Sequence, residues 1–469
     1  MNSQKRATEK HTLKKMELLG SSSIPKALLA MGIPIMIGML VNAFYNLVDA
    51  YFVGGLGESQ MGAISVVYPL GQVIVGLGLL FGNGAASYIS RLLGHGDKEN
   101  ADKVASTALY SSISVGAVII IISMVFLHPV LKLLGATDSI LPYASTYAGI
   151  YIVFCIFNVF NVTMNNIVTS EGAAKTTMCA LLIGAALNIA LDPLFIYVFD
   201  LGVAGAAIAT AISQIISTCV YLTYILLKRS VFHFRIKDCT YTKEIMSEIF
   251  KIGIPTLIFQ ILTSVSISLI NNAAGDYGDS AIAGMGIVTR LISMGSLSVF
   301  GFIKGFQPIA GYSYGAKKFD RLREAIKTSI LWSTVFCMIF GAILALFPMT
   351  IISQFTKGDV EMIRIGAASL RANGISIILF GFYTVYSSLF LALGKGREGF
   401  ILGACRQGIC FIPVILLLPM VWGLNGILYA QPIADVLSAI ITIFMAIPLH
   451  KKLNEMQNQI TTLSTNSNS

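Results

Sequence analysis

The chain has 469 residues, 55% of them hydrophobic and only 12% charged, with a mean hydropathy of +0.77 and a formal net charge of +9. A water-soluble domain carries about 25% charged residues, so this composition excludes a soluble globular protein and points to the lipid bilayer as solvent. The basic excess is no argument for nucleic acid, because its meaning depends on where along the chain it sits.

Residues 1–23 are polar and carry Lys5, Arg6, Lys10, Lys14 and Lys15. They read as a cytoplasmic tail rather than a cleaved signal, because the first apolar run is long enough to cross a membrane. Apolar runs that can span follow near 27–53, 62–90, 104–127, 142–168, 176–199 and 203–227. A basic stretch, 229–247, separates these from a second set near 248–274, 281–308, 325–347, 367–393, 400–421 and 425–449. The expected fold is an all-α integral membrane protein of twelve transmembrane helices in two pseudo-symmetric six-helix lobes, 24–228 and 248–450. Residues 451–469, rich in Asn and Ser, are expected to form a disordered cytoplasmic tail.

Twelve spans put both termini on one side. Of the 32 Lys and Arg, only Lys132, Lys357, Arg364 and Arg371 fall in or beside the loops of the other side, apart from Arg290 and Lys304 within spans. Arg406 is counted with the basic side. The positive-inside rule then makes both tails cytoplasmic and the protein a multi-pass component of the inner (plasma) membrane.

The halves repeat. Met31-Gly32-Ile33-Pro34 matches Ile252-Gly253-Ile254-Pro255 at an offset of 221 residues, and Gly94 matches Gly315 at the same offset. Gly202-Val203-Ala204-Gly205 likewise meets Gly423-Leu424-Asn425-Gly426. Six spans per repeat give both halves one topology, related by an axis along the membrane normal. Two such lobes suit alternating access around a central cavity.

Charged groups inside the hydrocarbon are costly unless they face protein or water. Asp49 in the first span and Asp192 in the fifth both sit roughly 10 Å inside the outer boundary at ~1.5 Å per residue. Tyr45 lies one turn from Asp49, and Asn188 one turn from Asp192. Thr210 and Tyr147 reach a similar depth. Six polar groups from four spans of one lobe thus converge, as a buried proton or cation site requires. A structural hydrogen-bonded core is the alternative.

The fourth span carries Tyr147, Tyr151, Phe154, Asn158, Asn161 and Asn165 at spacings that hold one helical face. This face is expected to point inward, either as a wall of the substrate cavity or as interhelical hydrogen bonds. Gln260 and Asp435 are further cavity candidates. Arg290 and Asp435 lie at depths where they can pair; Lys304 and Arg371, near span ends, are expected to snorkel. The seven cysteines form no CxxC pair and the five histidines are scattered, so free thiols are expected, with no metal site and no cofactor beyond a coupling ion.

Several segments resemble the multidrug and toxic compound extrusion (MATE) family over roughly residues 20–450. They are Gly32-Ile33-Pro34, Tyr45-Asn46-Leu47-Val48-Asp49, Tyr88-Ile89-Ser90-Arg91-Leu92-Leu93-Gly94, Glu171-Gly172, Asn188-Ile189-Ala190-Leu191-Asp192-Pro193 and Gly205-Ala206-Ala207-Ile208-Ala209-Thr210. The resemblance implies a two-lobe, twelve-helix antiporter, not an enzyme. It would export cationic amphipathic drugs in exchange for protons or sodium, with lipid around it and no nucleic-acid partner. It also implies an ion site in the N-terminal lobe at Asp49, Asn188 and Asp192, with Tyr45, Tyr147 and Thr210. Other family members carry a Glu in the seventh span where this chain has Gln260. A monomer is expected. The competing reading is a lipid-linked glycan flippase of the same superfamily, for which Arg290, Lys304 and Arg371 would line an anion-binding cavity.

Overall fold

The computed structural model describes residues 2–355 and 359–466, so Lys357 lies outside the described residues. An N-terminal helix α1 (Asn2–Gly20) precedes the first lobe, which contains α2 (Ile24–Gly54), α3 (Glu58–His95), α4 (Lys98–Val125), a short α5 (Leu127–Leu133), α6 (Leu141–Val153), α7 (Cys155–Ser170), α8 (Ala174–Pro193) and α9 (Gly202–Leu226). The second lobe contains α10 (Lys243–Gly275), α11 (Asp279–Gly315), α12 (Phe319–Leu346), a short α13 (Pro348–Ser353), α14 (Val360–Ala392), α15 (Gly396–Ala404), α16 (Phe411–Trp422) and α17 (Leu424–Asn466). Eleven helical spans are long and apolar enough to cross a membrane, and the bent pair α6–α7 makes a twelfth.

Local chemistry sets the helix ends. Asp97 caps α4 by accepting from the Asn100 backbone N–H at 3.1 Å, which satisfies one of the orphan donors of the first turn. Gly96, with φ of 82°, ends α3 in the left-handed conformation that costs glycine little. Two spans contain π-helical turns, Leu194–Val198 after Pro193 and Cys405–Ile409 between α15 and α16.

All odd-numbered crossings start from the end of the molecule that carries α1 and the interlobe linker. At that linker end the lobes are fused. Ile24, Leu28, Met31 and Ile35 of α2 sit in one apolar cluster with Phe302, Phe306 and Ile309 of α11, while Ile245 and Ile249 of α10 sit in another with Leu80, Phe81 and Ile89 of α3. The starting half of each lobe's first helix is therefore buried against the opposite lobe. At the far end the clusters separate: one contains only first-lobe residues such as Val53, Tyr147 and Ile196, another only second-lobe residues such as Ala274, Phe411 and Ala434. The molecule is closed at the linker end and divided by a cleft at the far end.

Close approach at the closed end depends on glycine. Gly84 of α3 packs on the backbone of Ile249, and its repeat counterpart Gly305 of α11 packs on the backbone of Gly32. Any side chain there would hold the helices apart.

One sequence expectation differs at the C-terminus. The segment after residue 449 continues α17 as helix to Asn466, rather than forming a disordered tail, because Leu453 is buried against the core and Asn454 accepts from Arg323 at 2.6 Å. In the linker, Val231, Phe232 and Phe234 are buried in the cluster that α3 and α10 share.

Candidate ion site and the cleft between the lobes

The far-end half of the first lobe brings α2, α6, α8 and α9 together, and with them the six residues singled out by spacing. Asp192 and Asn188 are 0% and 1% exposed, one turn apart on α8. The Asn188 Nδ2 donates both to Asp192 Oδ1 and to Thr210 Oγ1, each at 3.3 Å. Asp49, half-buried on α2, lies within hydrogen-bonding reach of Asp192. Tyr45 and Tyr147 stand close to both carboxyls, and Tyr147 stacks on Tyr151 with ring centroids 6.2 Å apart. Pro193 follows Asp192 directly; its missing N–H and the π-helical turn beyond it loosen the backbone just where the acid is held.

The electrostatic character of the site is one-sided. Asp49 Oδ1, Asp192 Oδ2 and Asn188 Oδ1 are buried and accept no hydrogen bond from the described residues. No Lys, Arg or His among those residues pairs with either acid. Two carboxylates side by side in a low dielectric repel each other unless a proton or cation lies between them. The neighbouring amide and hydroxyl supply oxygen ligands of the kind a hard cation takes. No group of three or more His, Cys, Asp or Glu among the described residues makes a transition-metal site.

A narrow crevice adjoins this site and shares Thr210 with it; Tyr151, Phe154, Asn158 and Gln214 also line it. The Asn158 Oδ1 is buried there without a donor. The fourth span does not hold one face throughout, as its spacing suggested. It breaks at Phe154, where α6 and α7 meet at 51°. Beyond the break Asn161 is taken up by α9: it donates to Gln214 Oε1 at 2.8 Å and accepts from Thr218 at 3.0 Å. Asn165 is buried in the same lobe core.

In the second lobe Asp435 does not pair with Arg290. Its carboxylate accepts from Arg406 Nε at 2.8 Å, Ser376 Oγ at 2.8 Å and Gln431 Nε2 at 3.0 Å, and the Arg406 guanidinium lies over the Phe380 ring. Arg406 is thus an intramembrane residue on the π-helical turn, not a loop cation. Arg290 is exposed on α11. Arg371 lies about three turns inside α14 rather than at its end. Lys304 does not snorkel; it faces a crevice between the lobes, lined by Ser90, Asn166, Thr169 and Ser170 of the first lobe.

Polar pairs cross the seam where the lobes meet. Gln260 of α10 donates to Gln72 of α3 at 2.5 Å, at the floor of the cleft. Deeper in, Asn83 accepts from Gln307 and donates to Thr256, both at 3.0 Å, and Arg91 bonds Glu248 at 2.6 Å. Gln72, Asn83, Ser87 and Arg91 occupy one face of α3.

Two matches to one family description fall in the two lobes: the MatE family model fits residues 34–194 and again 255–417. The chain belongs to the MATE family of efflux transporters. The "Multidrug export protein MepA" of Staphylococcus aureus (strain MSSA476) is 32% identical over 442 residues, covering 92% of this chain and 95% of the relative. Among solved structures, "Outward-facing conformation of a multidrug resistance MATE family transporter of the MOP superfamily" superposes with a TM-score of 0.89 at 27% identity, covering 94% of this chain and 99% of that one. A MOP superfamily transporter from Pyrococcus furiosus, described as having a binding pocket of reverse polarity, reaches 0.88 at 26% identity over 95% of this chain and 99% of its own.

The MATE fold therefore brings together all six residues expected at the ion site. Sequence reasoning missed Gln72, Asn83, Gln214 and Thr256. The polar stripe along α3 was a usable signal, since four polar side chains at helical spacing in an apolar span need partners.

Proposed function

We propose that this protein exports cationic, amphipathic compounds of several kinds in exchange for protons, or for sodium, by rocking its two lobes about the seam. The observation that carries the reading is the meeting of Asp49 and Asp192 without a protein cation. The name of the staphylococcal relative, a multidrug export protein, supports the substrate class. The basic bias of the linker end supports a cytoplasmic placement of both tails, which makes the cleft an outward-open one.

Coupling follows from charge. A proton arriving from outside occupies the space between the carboxyls and removes one negative charge from the first lobe. A unit charge pair at ~4 Å and an effective dielectric of about 20 is worth roughly 4 kcal/mol. Neutralisation therefore lowers the affinity for a cationic drug by about a thousandfold. Drug leaves outward, the lobes rock, and the proton leaves inward. Bias between the two states arises because ion and drug bind them unequally. The crevice at Tyr151, Phe154 and Asn158 and the cleft floor at Gln72 and Gln260 offer aromatic and amide contacts to the drug. The surrounding lipid is the only other partner in this account, and the two lobes of a monomer suffice.

The test is efflux of an ethidium-like dye from vesicles under an imposed pH gradient or sodium gradient. Proton-driven efflux lost in Asp49→Asn supports the reading. Sodium-driven efflux keeps the site and changes the ion. Full efflux in both Asp49→Asn and Asp192→Asn proteins would remove the site from the mechanism.

A further inference from the structure

At the closed end one cation facing the seam has neither an ion pair nor a hydrogen bond among the described residues. Arg91 is matched by Glu248, and the amides of Asn83, Gln307, Gln72 and Gln260 bond one another. Lys304, in contrast, sits on α11 about 16 Å from its linker end at ~1.5 Å per residue. No charged or hydrogen-bonding group acts on its ammonium.

What surrounds it is neutral and already committed. Ser90 donates to the Ala86 carbonyl at 2.7 Å, Ser170 to Ile167 at 2.7 Å, Thr169 to Asn165 at 2.7 Å, and Asn166 to Val162 at 2.7 Å. None of these side chains carries a negative charge. Confining an ammonium there without an opposite charge is unfavourable, whereas parting the lobes would hydrate it.

We propose that Lys304 is a gate-biasing residue: its uncompensated charge raises the free energy of the closed linker end and thereby drives that end open during the transport cycle. The proposal rests on the alternating-access reading above. It explains why the seam tolerates a lysine where four neighbouring polar positions are paired. Glycine-mediated helix contact and interlobe hydrogen bonds hold the gate shut; Lys304 offsets them, so that neither state dominates and the cycle turns over.

The experiment measures interlobe distances by pulsed electron spin resonance on the full chain in lipid nanodiscs, with no drug and no ion gradient. Spin labels go on K98C and R397C, exposed linker-end positions of the first and second lobes, with Cys179, Cys219 and Cys239 replaced by Ser. The wild type is expected to show a short-distance closed population and a long-distance open one. Lys304→Met should lower the open-to-closed ratio at least tenfold, and Lys304→Arg should leave it near wild type. Asn166→Asp, which supplies a counter-charge across the seam, should lower the ratio with Lys304 intact. In the Lys304→Met background the same aspartate should raise it.

Two populations unmoved by both Lys304→Met and Asn166→Asp would overturn the proposal and leave alternating access standing. A single population in the wild type, unchanged across pH, would overturn both. Loss of drug coupling does not affect this readout, so failure of the substrate assignment is separately visible.

Discussion

Gly94 and Gly315, at equivalent positions of the two repeats, each press on the other's helix: a methyl group on Gly94 would meet the Tyr312 carbonyl, and one on Gly315 the Arg91 carbonyl. The repeat in the sequence thus becomes a symmetric lock between α3 and α11. Because the clash exists only when the linker end is closed, Gly315→Val should destabilise that state selectively, by about 1–3 kcal/mol as for an overpacked interface. A cysteine at Ser87, buried in the same seam, should then react faster with a maleimide applied from the linker side. An unchanged rate would show that the lock opens by another route.

Asn83 joins three helices through Thr256 and Gln307. Asn83→Leu leaves both partners without their seam hydrogen bonds, at a cost of about 1–3 kcal/mol for the buried Gln307 amide, while Thr256 keeps its bond to the Ile252 carbonyl. The open population at the linker end should rise, in the opposite sense to Lys304→Met. Interlobe distance measurements on the two variants give the comparison.

In the proposed cycle Asp49 and Asp192 act on one ion, and they should then behave as a unit. Each single Asn substitution is expected to reduce proton-driven dye efflux by at least tenfold, and the double substitution by scarcely more. A double mutant whose loss equals the product of the two singles would show that the carboxyls work at separate steps.

Wild-type efflux under an acid-outside gradient should weaken as the outside pH rises, because the site between the two carboxyls then fills less often. In the same vesicles Asp192→Asn should show a flat, low profile. Equal pH dependence in both proteins would place the titrating group elsewhere.

Arg406 and Asp435 form a buried pair deep in the second lobe, with side-chain exposures of 7% and 3%. Arg406→Met strands the carboxylate and should cost about 3–5 kcal/mol of stability, whereas the double change Arg406→Met, Asp435→Leu should recover most of it. Thermal unfolding in detergent, followed by size-exclusion fluorescence, reports both. Efflux activity surviving in the double variant would confirm a structural role for the pair.

Local pattern was enough for the solvent, the span count, the duplication and the six polar residues that meet around Asp49 and Asp192. These are legible because hydropathy and helical spacing are local properties. Asp49 with Tyr45, and Asp192 with Asn188, share faces at one-turn spacing, and equal depth brings the two faces to one level. Partner choice was not legible. Arg290 was the expected partner of Asp435 and Arg406 a cation of the basic side; only the rotation and tilt of packed helices put Arg406 beside Asp435. The bend at Phe154 turned a continuous polar stripe into two groups with different surroundings. The tail after residue 449 looked unstructured because its few apolar residues, such as Leu453, gain stability only against a core assembled from other helices. Lys304 looked like a snorkelling residue near a span end until the closed seam placed the opposite lobe in front of it. Burial at a lobe interface is a property of two surfaces together, and one chain's local pattern specifies only one of them at a time.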